Sequence, residues 1–318
     1  MLRPAELEKV ENLDALYDEL APRSINAGWA KPTPSLYPEP YRNFLPAMWR
    51  WADGRAALTA AGRLIDTELA ERRNLILFNP VENNTYATVR TLIAAYQMIM
   101  PGEKARSHRH TPNALRFILE GEGSYTVVDG QRLEMRPNDV LLTPNWCWHG
   151  HGSEAEGPCY WLDCLDAPLT HLLEPMFYEQ HPAGYEPVAA VPNDCPFIFP
   201  WDKVQASLDR EKPDPKGTFG RRVQLGDPAM ASIALYMERL EGGTRTAPLR
   251  TTANRIYACA EGTGTTIIDG ESFAWRRGDV IAVPCWRPAE HRAETDATLF
   301  WMTDEPLMRS LGWLRVEG

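Results

Sequence analysis

The chain repeats itself, and this constrains its fold more than any other feature. Glu120-Gly121-Glu122-Gly123, Asp129-Gly130, Asp139-Val140 and Pro144-Asn145-Trp146 recur in the same order as Glu261-Gly262-Thr263-Gly264, Asp269-Gly270, Asp279-Val280 and Pro284-Cys285-Trp286. The offset is 141 residues at the first pair and 140 at the rest, so one residue is lost in the hairpin after Gly264. Matched turn signals at a fixed offset mean two copies of one unit. In the first copy they separate short β-type runs at 91–100, 115–119, 124–128, 140–143 and 160–164. Closely spaced strands joined by Gly, Asn and Asp turns read as antiparallel barrels. The expectation is an all-β-dominated chain with two barrels of jelly-roll type, at 85–184 and 226–318.

The remainder reads differently. Residues 5–22 place Leu7, Val10, Leu13, Leu16 and Leu20 at helical spacing, and 53–70 suggests a second helix. A short apolar strand is expected at 74–78, stopped by Asn79-Pro80. Residues 1–84 thus form an expected helical extension. Residues 185–225, rich in Pro, Asp and Lys over 185–220, are expected to be a linker. The 27 prolines favour short strands and turns, and the 11 tryptophans suggest large apolar pockets or a well-filled barrel.

Charge excludes several function classes. With 33 Lys+Arg against 43 Asp+Glu the net charge is −10, and no basic block is present. Neither nucleic acid nor an anionic membrane surface is an expected partner. No apolar run approaches the roughly 20 residues of a membrane span. Six scattered cysteines without a Cys-x-x-Cys pair, and an acidic start without an apolar leader, point to free thiols in a reducing cytoplasm.

Four of the seven histidines fall in the first copy: His108, His110, His149 and His151. Positions i and i+2 of a strand share a face, so His108 and His110 are expected to point together into the barrel. Closing the barrel is expected to bring His149 opposite that pair, two or three strands later. Three imidazoles on one ion would leave open coordination positions.

The surrounding string, Gly102 then His108-Arg109-His110, with a later histidine after Pro144-Asn145-Trp146-Cys147-Trp148, resembles the two motifs of the cupin superfamily. The usual glutamate ligand is missing, because Asn113 and Ala114 stand where it would lie. The runs 101–118 and 143–152 resemble, more narrowly, the gentisate 1,2-dioxygenase family, which includes salicylate, 5-nitrosalicylate and 1-hydroxy-2-naphthoate dioxygenases. The resemblance is strong over roughly 68–170 and weaker elsewhere. It implies a bicupin and a homotetramer or other homo-oligomer. It also implies Fe(II) at His108, His110 and His149, and extradiol-type cleavage by O2 of a small aromatic 2-hydroxy acid. The ring would open between its carboxyl- and hydroxyl-bearing carbons.

Further site residues follow. Arg116 shares parity with the histidine pair on an expected adjacent strand, and a buried guanidinium needs an anion such as a substrate carboxylate. The family's carboxylate-anchoring arginine matches this position. The resemblance places His151 and Asp163 in the substrate pocket, where they could help accept the phenolic proton. Gln97 is a further pocket candidate, and Arg72 or Arg73 supplies a second positive contact. Gly150 stands where the family suggests an acidic residue. Ile93 and Ala95 are candidates to surround the ring carbon far from the metal.

The second copy serves as an internal control. His108, His110 and His149 map to Leu249, Thr251 and Ala289, Arg116 maps to Tyr257, and only His151 has an echo, at His291. A barrel of this kind therefore folds without the three histidines. Two competing readings are a Zn(II) or Mn(II) isomerase or hydrolase, and a non-catalytic cupin that binds a small carboxylate.

Overall fold

A computed structural model describes the chain except for Pro32, Pro34, residues 67–71, Asn193 and residues 227–229. Residues Met1–Tyr41 form one compact unit and Arg42–Gly318 another. In the first, the expected helix over 5–22 is two helices, α1 (Pro4–Leu7) and α2 (Leu13–Leu20). Asn12 breaks it: its backbone is extended, and its side chain accepts the Ala15 amide at 2.9 Å, capping a new helix.

The larger unit begins with β1 (Ala47–Trp49), α3 (Trp51–Leu64) and β2 (Arg73–Ile76). Asp279 caps α3, accepting the Trp51 amide at 2.8 Å and Arg50 at 2.8 Å. The helix ends before the expected 70, and residues 67–70 lie outside the described residues. The first repeat then supplies β3 (Ile93–Ile99), β4 (Lys104–His110), β5 (Ala114–Glu120), β6 (Ser124–Val128), β7 (Gln131–Met135), β8 (Val140–Thr143), β9 (His149–Ser153) and β10 (Cys159–Leu165). Helix α4 (Ala167–Leu172), β11 (Tyr178–Gln180), β12 (Ile198–Phe199), α5 (Trp201–Arg210) and β13 (Arg221–Gln224) lead to the second repeat. That repeat comprises β14 (Ala234–Leu240), β15 (Arg250–Thr251), β16 (Arg255–Glu261), β17 (Thr263–Ile268), β18 (Glu271–Arg276), β19 (Val280–Val283), β20 (Ala289–Ala293) and β21 (Ala297–Thr303).

The bicupin expectation holds. The first barrel pairs a sheet ordered β12-β8-β5-β10-β3-β2 with one ordered β11-β4-β9-β6-β7. The second pairs β1-β19-β16-β21-β14-β13 with β18-β17-β20. Trp161, Ile118 and Leu141 from one sheet meet Val128, Leu133 and Met135 from the other inside the first barrel. Trp275, Trp301 and Tyr257 fill the second. A third apolar layer joins the barrels back to back, where Phe117 stacks on Phe300 with centroids 4.9 Å apart. Strand alternation explains this: Leu115, Phe117 and Leu119 face the other barrel, while Arg116 and Ile118 face inward.

The repeated turn signals adopt repeated conformations. Asp129-Gly130 and Asp269-Gly270 all have positive φ, as two-residue hairpin turns require. Gly121 and Gly262 also have positive φ, and a side chain at either would strike the backbone at Pro158 or Asp296.

Two segments differ from expectation. The residues expected as a linker contain β12, which pairs with β8, and α5, which buries Val204 and Leu208. The helical extension contains an unexpected strand, β1, which completes a sheet of the second barrel; β2, which completes one of the first, is the strand expected at 74–78, set at Arg73–Ile76. The unexpected strands β1 and β12 run only three and two residues, too short for a period to show. All six cysteines are free thiols. No helix among the described residues is long and apolar enough to cross a membrane.

Candidate metal centre and substrate pocket

Strand β4 carries His108 and His110, and β9 carries His149 and His151. The two strands are antiparallel neighbours, with His108 directly across from His149. His149 is therefore beside the pair on the same sheet, not opposite it across the barrel. One potential ligand atom from each of His108, His110 and His149 lies within 4.8 Å of the others. Backbone carbonyls orient the rings. Nδ1 of His110 donates to Pro112 O at 2.8 Å and Nδ1 of His149 to Cys147 O at 3.0 Å, while His108 Nδ1 sits 3.3 Å from Arg106 O. Fixing the proton on Nδ1 turns the Nε2 lone pair outward as a ligand.

The donor set fits a metal on the structure's own terms. His149 is fully buried, and its Nε2 has no hydrogen-bond partner. Burial, helped by nearby Arg72, lowers the His108 pKa to about 3; burial also lowers that of His110 and holds His149 well below the usual range. Neutral imidazoles are the form a cation needs.

The second barrel preserves the scaffold without the ligands. Leu249 bridges Ala289 where His108 faces His149, and His291 opposite Thr266 repeats His151 opposite Thr126.

A polar network lies behind the triad. Arg116 is on β5, which belongs to the facing sheet and is not the neighbour of β4. It sits directly across from Asp163 on β10, with Nε 3.6 Å from Oδ1. Arg116 donates to Thr143 Oγ1 at 2.6 Å and to His151 Nε2 at 3.0 Å. It is thus partnered before any substrate enters, contrary to the expectation of an otherwise unpaired cation. Its Nε still lacks a hydrogen bond, and burial pushes its pKa down to about 10 against the pull of Asp163. Arg72 also donates to His151 Nε2, at 2.9 Å, and Gln97 donates to Asp163 Oδ2 at 2.9 Å. Arg73 turns away to pair with Glu103 at 2.7 Å, so Arg72 is the one that reaches the network.

Two guanidiniums donating to one ring nitrogen settle the His151 tautomer. A guanidinium cannot accept, so Nε2 accepts and Nδ1, buried without a partner, carries the proton. The lone pair expected to help take the phenolic proton is already shared by Arg72 and Arg116. Asp163 Oδ1, 3.6 Å from Arg116 Nε, accepts no hydrogen bond, nor does Gln97 Oε1, and of these two open acceptors Asp163 Oδ1 is the one on a carboxylate.

Other expectations gain a location. Gly150 replaces the suggested acidic residue because a Cβ there would lie 2.5 Å from Ser107 Oγ. Ala95 lies across from Asp163, on the strand that carries Gln97. Sequence reading missed Thr143, whose hydroxyl holds Arg116, and strand β11. The latter pairs Tyr178 with His110 and Gln180 with His108, and helps line a cavity of about 400 Å³ at the mouth of the site. Three residues of β11 carry no period that would have announced them.

The same architecture occurs in known proteins. The cupin domain family matches residues 95–165. A 5-aminosalicylate 1,2-dioxygenase from Comamonas sp is 34% identical, covering 96% of this chain and 90% of that one. Gentisate 1,2 dioxygenase 1 from Aquipseudomonas alcaligenes is 32% identical, with 94% of each chain covered. The crystal structure of a salicylate 1,2-dioxygenase from Pseudaminobacter salicylatoxidans superposes with a TM-score of 0.88 at 27% identity, covering 96% of this chain and 97% of that one. With a three-histidine focus, a duplicated barrel and relatives matched nearly end to end, the chain belongs to the gentisate 1,2-dioxygenase family of bicupins.

Proposed function

We propose that the chain is an Fe(II)-dependent, extradiol-type dioxygenase that opens a 2-hydroxybenzoate between its carboxyl- and hydroxyl-bearing carbons. The observation that carries this is one ligand focus, shared by three neutral imidazoles, beside a buried network with two guanidiniums and one open carboxylate oxygen. His108, His110 and His149 would hold the ion, which supplies a redox-active centre with open positions for a chelating substrate and O2.

The chain's own residues do the rest. Arg116 and Arg72 attract the substrate carboxylate into a site that excludes water. Gln97 and Arg116 orient Asp163, whose Oδ1 takes the phenolic proton as the ring binds. His151 holds the two arginines together by accepting from both, and Thr143 fixes the far side of Arg116.

Gentisate is the first substrate to test, because a donating group para to the phenol eases ring opening. A 5-aminosalicylate relative, with a donor at the same carbon, supports that choice. Salicylate, 5-nitrosalicylate and 1-hydroxy-2-naphthoate complete the panel, and Ala95 and Ile93 on β3 would sort them. The test is oxygen uptake by iron-loaded, anaerobically purified protein with each acid, alongside Zn(II)- and Mn(II)-loaded controls. Uptake with a new near-UV product band only in the iron form is expected; substrate binding without uptake would leave a carboxylate-binding cupin.

Free thiols support a cytoplasmic location, and exposed Leu172, Leu173 and Phe177 support a homo-oligomer, for which light scattering would show a mass near four chains.

A further inference from the structure

Asn113 stands where the glutamate ligand is absent, and its side chain turns away from the histidines. Its amide N–H and Nδ2 donate to the two oxygens of Asp166 at 2.8 and 3.0 Å, and Nδ2 also reaches Ser232 Oγ at 2.9 Å. Ser232, just before β14 of the second barrel, donates to the same Asp166 carboxylate. Asn113 Oδ1 accepts the Asn145 amide at 3.0 Å. All three side-chain-bearing residues of this knot are at least nine-tenths buried.

The knot grips both turns that aim the ligands. Pro112, adjacent to Asn113, supplies the carbonyl that orients His110. Cys147, two residues after Asn145, supplies the one that orients His149. Between them, Trp146 adopts a positive φ of 64° and donates its amide to His110 O at 3.0 Å. A bulky residue in that conformation stays there only if its surroundings hold it.

The second barrel contains the mirror image. Asn254 donates to Asp304 at 2.7 Å through each nitrogen, its Oδ1 accepts the Cys285 amide at 3.0 Å, and Thr91 of the first barrel donates to Asp304. Trp286 repeats the positive φ and donates to Thr251 O at 2.7 Å. That knot grips turns beside Thr251 and Ala289, which cannot bind a metal.

We propose that Asn113, Asp166 and Ser232 form a positioning clamp through which the metal-free barrel holds His110 and His149 on one focus. The inference rests on the three-histidine metal reading. Ser232 is a positioning residue: it acts through Asp166 and Asn113 on two backbone carbonyls. The mirror knot, with equal burial and no ligands in its grip, separates this role from ordinary stabilisation.

The experiment titrates full-length, metal-stripped protein with Co(II), reading affinity and the ligand-field absorption bands, with thermal unfolding in parallel. Ser232→Ala is expected to weaken Co(II) binding about fivefold, less than the roughly 10–100-fold typical of losing a direct partner to a ligand, and to shift the bands. Ser232→Thr is expected to restore both. Thr91→Ala, which loosens the mirror knot, is expected to lower thermal stability comparably but to keep affinity within about twofold of the parent, the ligand-orienting carbonyls being untouched. Unchanged affinity and bands in Ser232→Ala, or equal weakening in Thr91→Ala, would overturn the clamp. His110→Ala distinguishes the deeper failure: parental Co(II) binding in that variant would sink the metal site and the clamp with it.

Discussion

His108 and His149 face each other across adjacent antiparallel strands, with ring centroids 4.4 Å apart. Directly opposed side chains on neighbouring strands meet without any loop having to fold over. The metal focus is thus built into the sheet, and the third ring, His110, comes from the same strand as His108. His149→Ala is expected to lose stoichiometric metal and all turnover while remaining folded, because Ala289 occupies the equivalent place in the second barrel. Metal analysis with circular dichroism checks this; a folded, iron-free variant with full turnover would reject the site.

Arg116→Ala is expected to raise KM for carboxylate-bearing substrates and lower kcat/KM, a loss of about 2–4 kcal/mol if the guanidinium forms a buried charge pair. Steady-state oxygen uptake measures it. Arg116→Lys is expected to recover little, because one ammonium cannot serve Thr143, His151 and a carboxylate in a fixed planar fork. An Arg116→Ala enzyme with parental kcat and KM would remove Arg116 from the pocket.

Arg72 and Arg73 are adjacent in sequence but are expected to behave oppositely. Arg72→Ala should weaken substrate binding with a small change in thermal stability. Arg73→Ala should leave KM near the parent but cost about 2–4 kcal/mol of stability, because it leaves the part-buried Glu103 with only the Met100 amide and removes donors to Ile65 O. Paired kinetics and denaturant titrations test both; the reverse pattern would mean that Arg73 faces the substrate.

Glu238 is the second barrel's counterpart of Gln97. It is fully buried and accepts the Gly220 amide at 2.8 Å through Oε1, while Trp301, Arg222 and Arg255 give its carboxyl only partial relief. Burial raises its pKa from 4.5 to about 7. The unfolded chain therefore loses this proton at lower pH than the folded one, and folding stability falls as pH rises from about 4.5 to 7, then levels. Glu238→Gln should remove that fall, gaining up to about 3 kcal/mol over the parent at pH 8 and almost nothing near pH 4.5. Unfolding curves at the two pH values decide it, and an equal effect at both would show that charge burial is not the cause.

The alternation of histidine with non-histidine residues was legible because a strand has a period of two. His108 and His110 could only share a face, and the two Asp-Gly turns read as the hairpins they are, β6–β7 and β17–β18, while the other marked turns carry the chain from one sheet to the other. The missing ligands at Leu249, Thr251 and Ala289 were equally visible, since a repeat read against itself needs no structure. The single helix expected at 5–22 is two helices because amphipathic spacing continues across Asn12, whose capping role depends on a backbone angle that spacing does not encode. The linker was misread because α5 buries only two residues, Val204 and Leu208, and its value lies in what they touch.

Two antiparallel barrels, the asymmetry between them and the three imidazoles that can meet are legible in the chain alone, because local periodicity and turn chemistry are written residue by residue. Long-range packing adds that Arg116 reaches the site from the facing sheet, that Arg72 and not Arg73 joins it, and that His151 spends its lone pair on two guanidiniums. Hydrogen-bond partners 27 to 79 residues apart become neighbours only once both sheets close, and no local pattern records which donors share an acceptor.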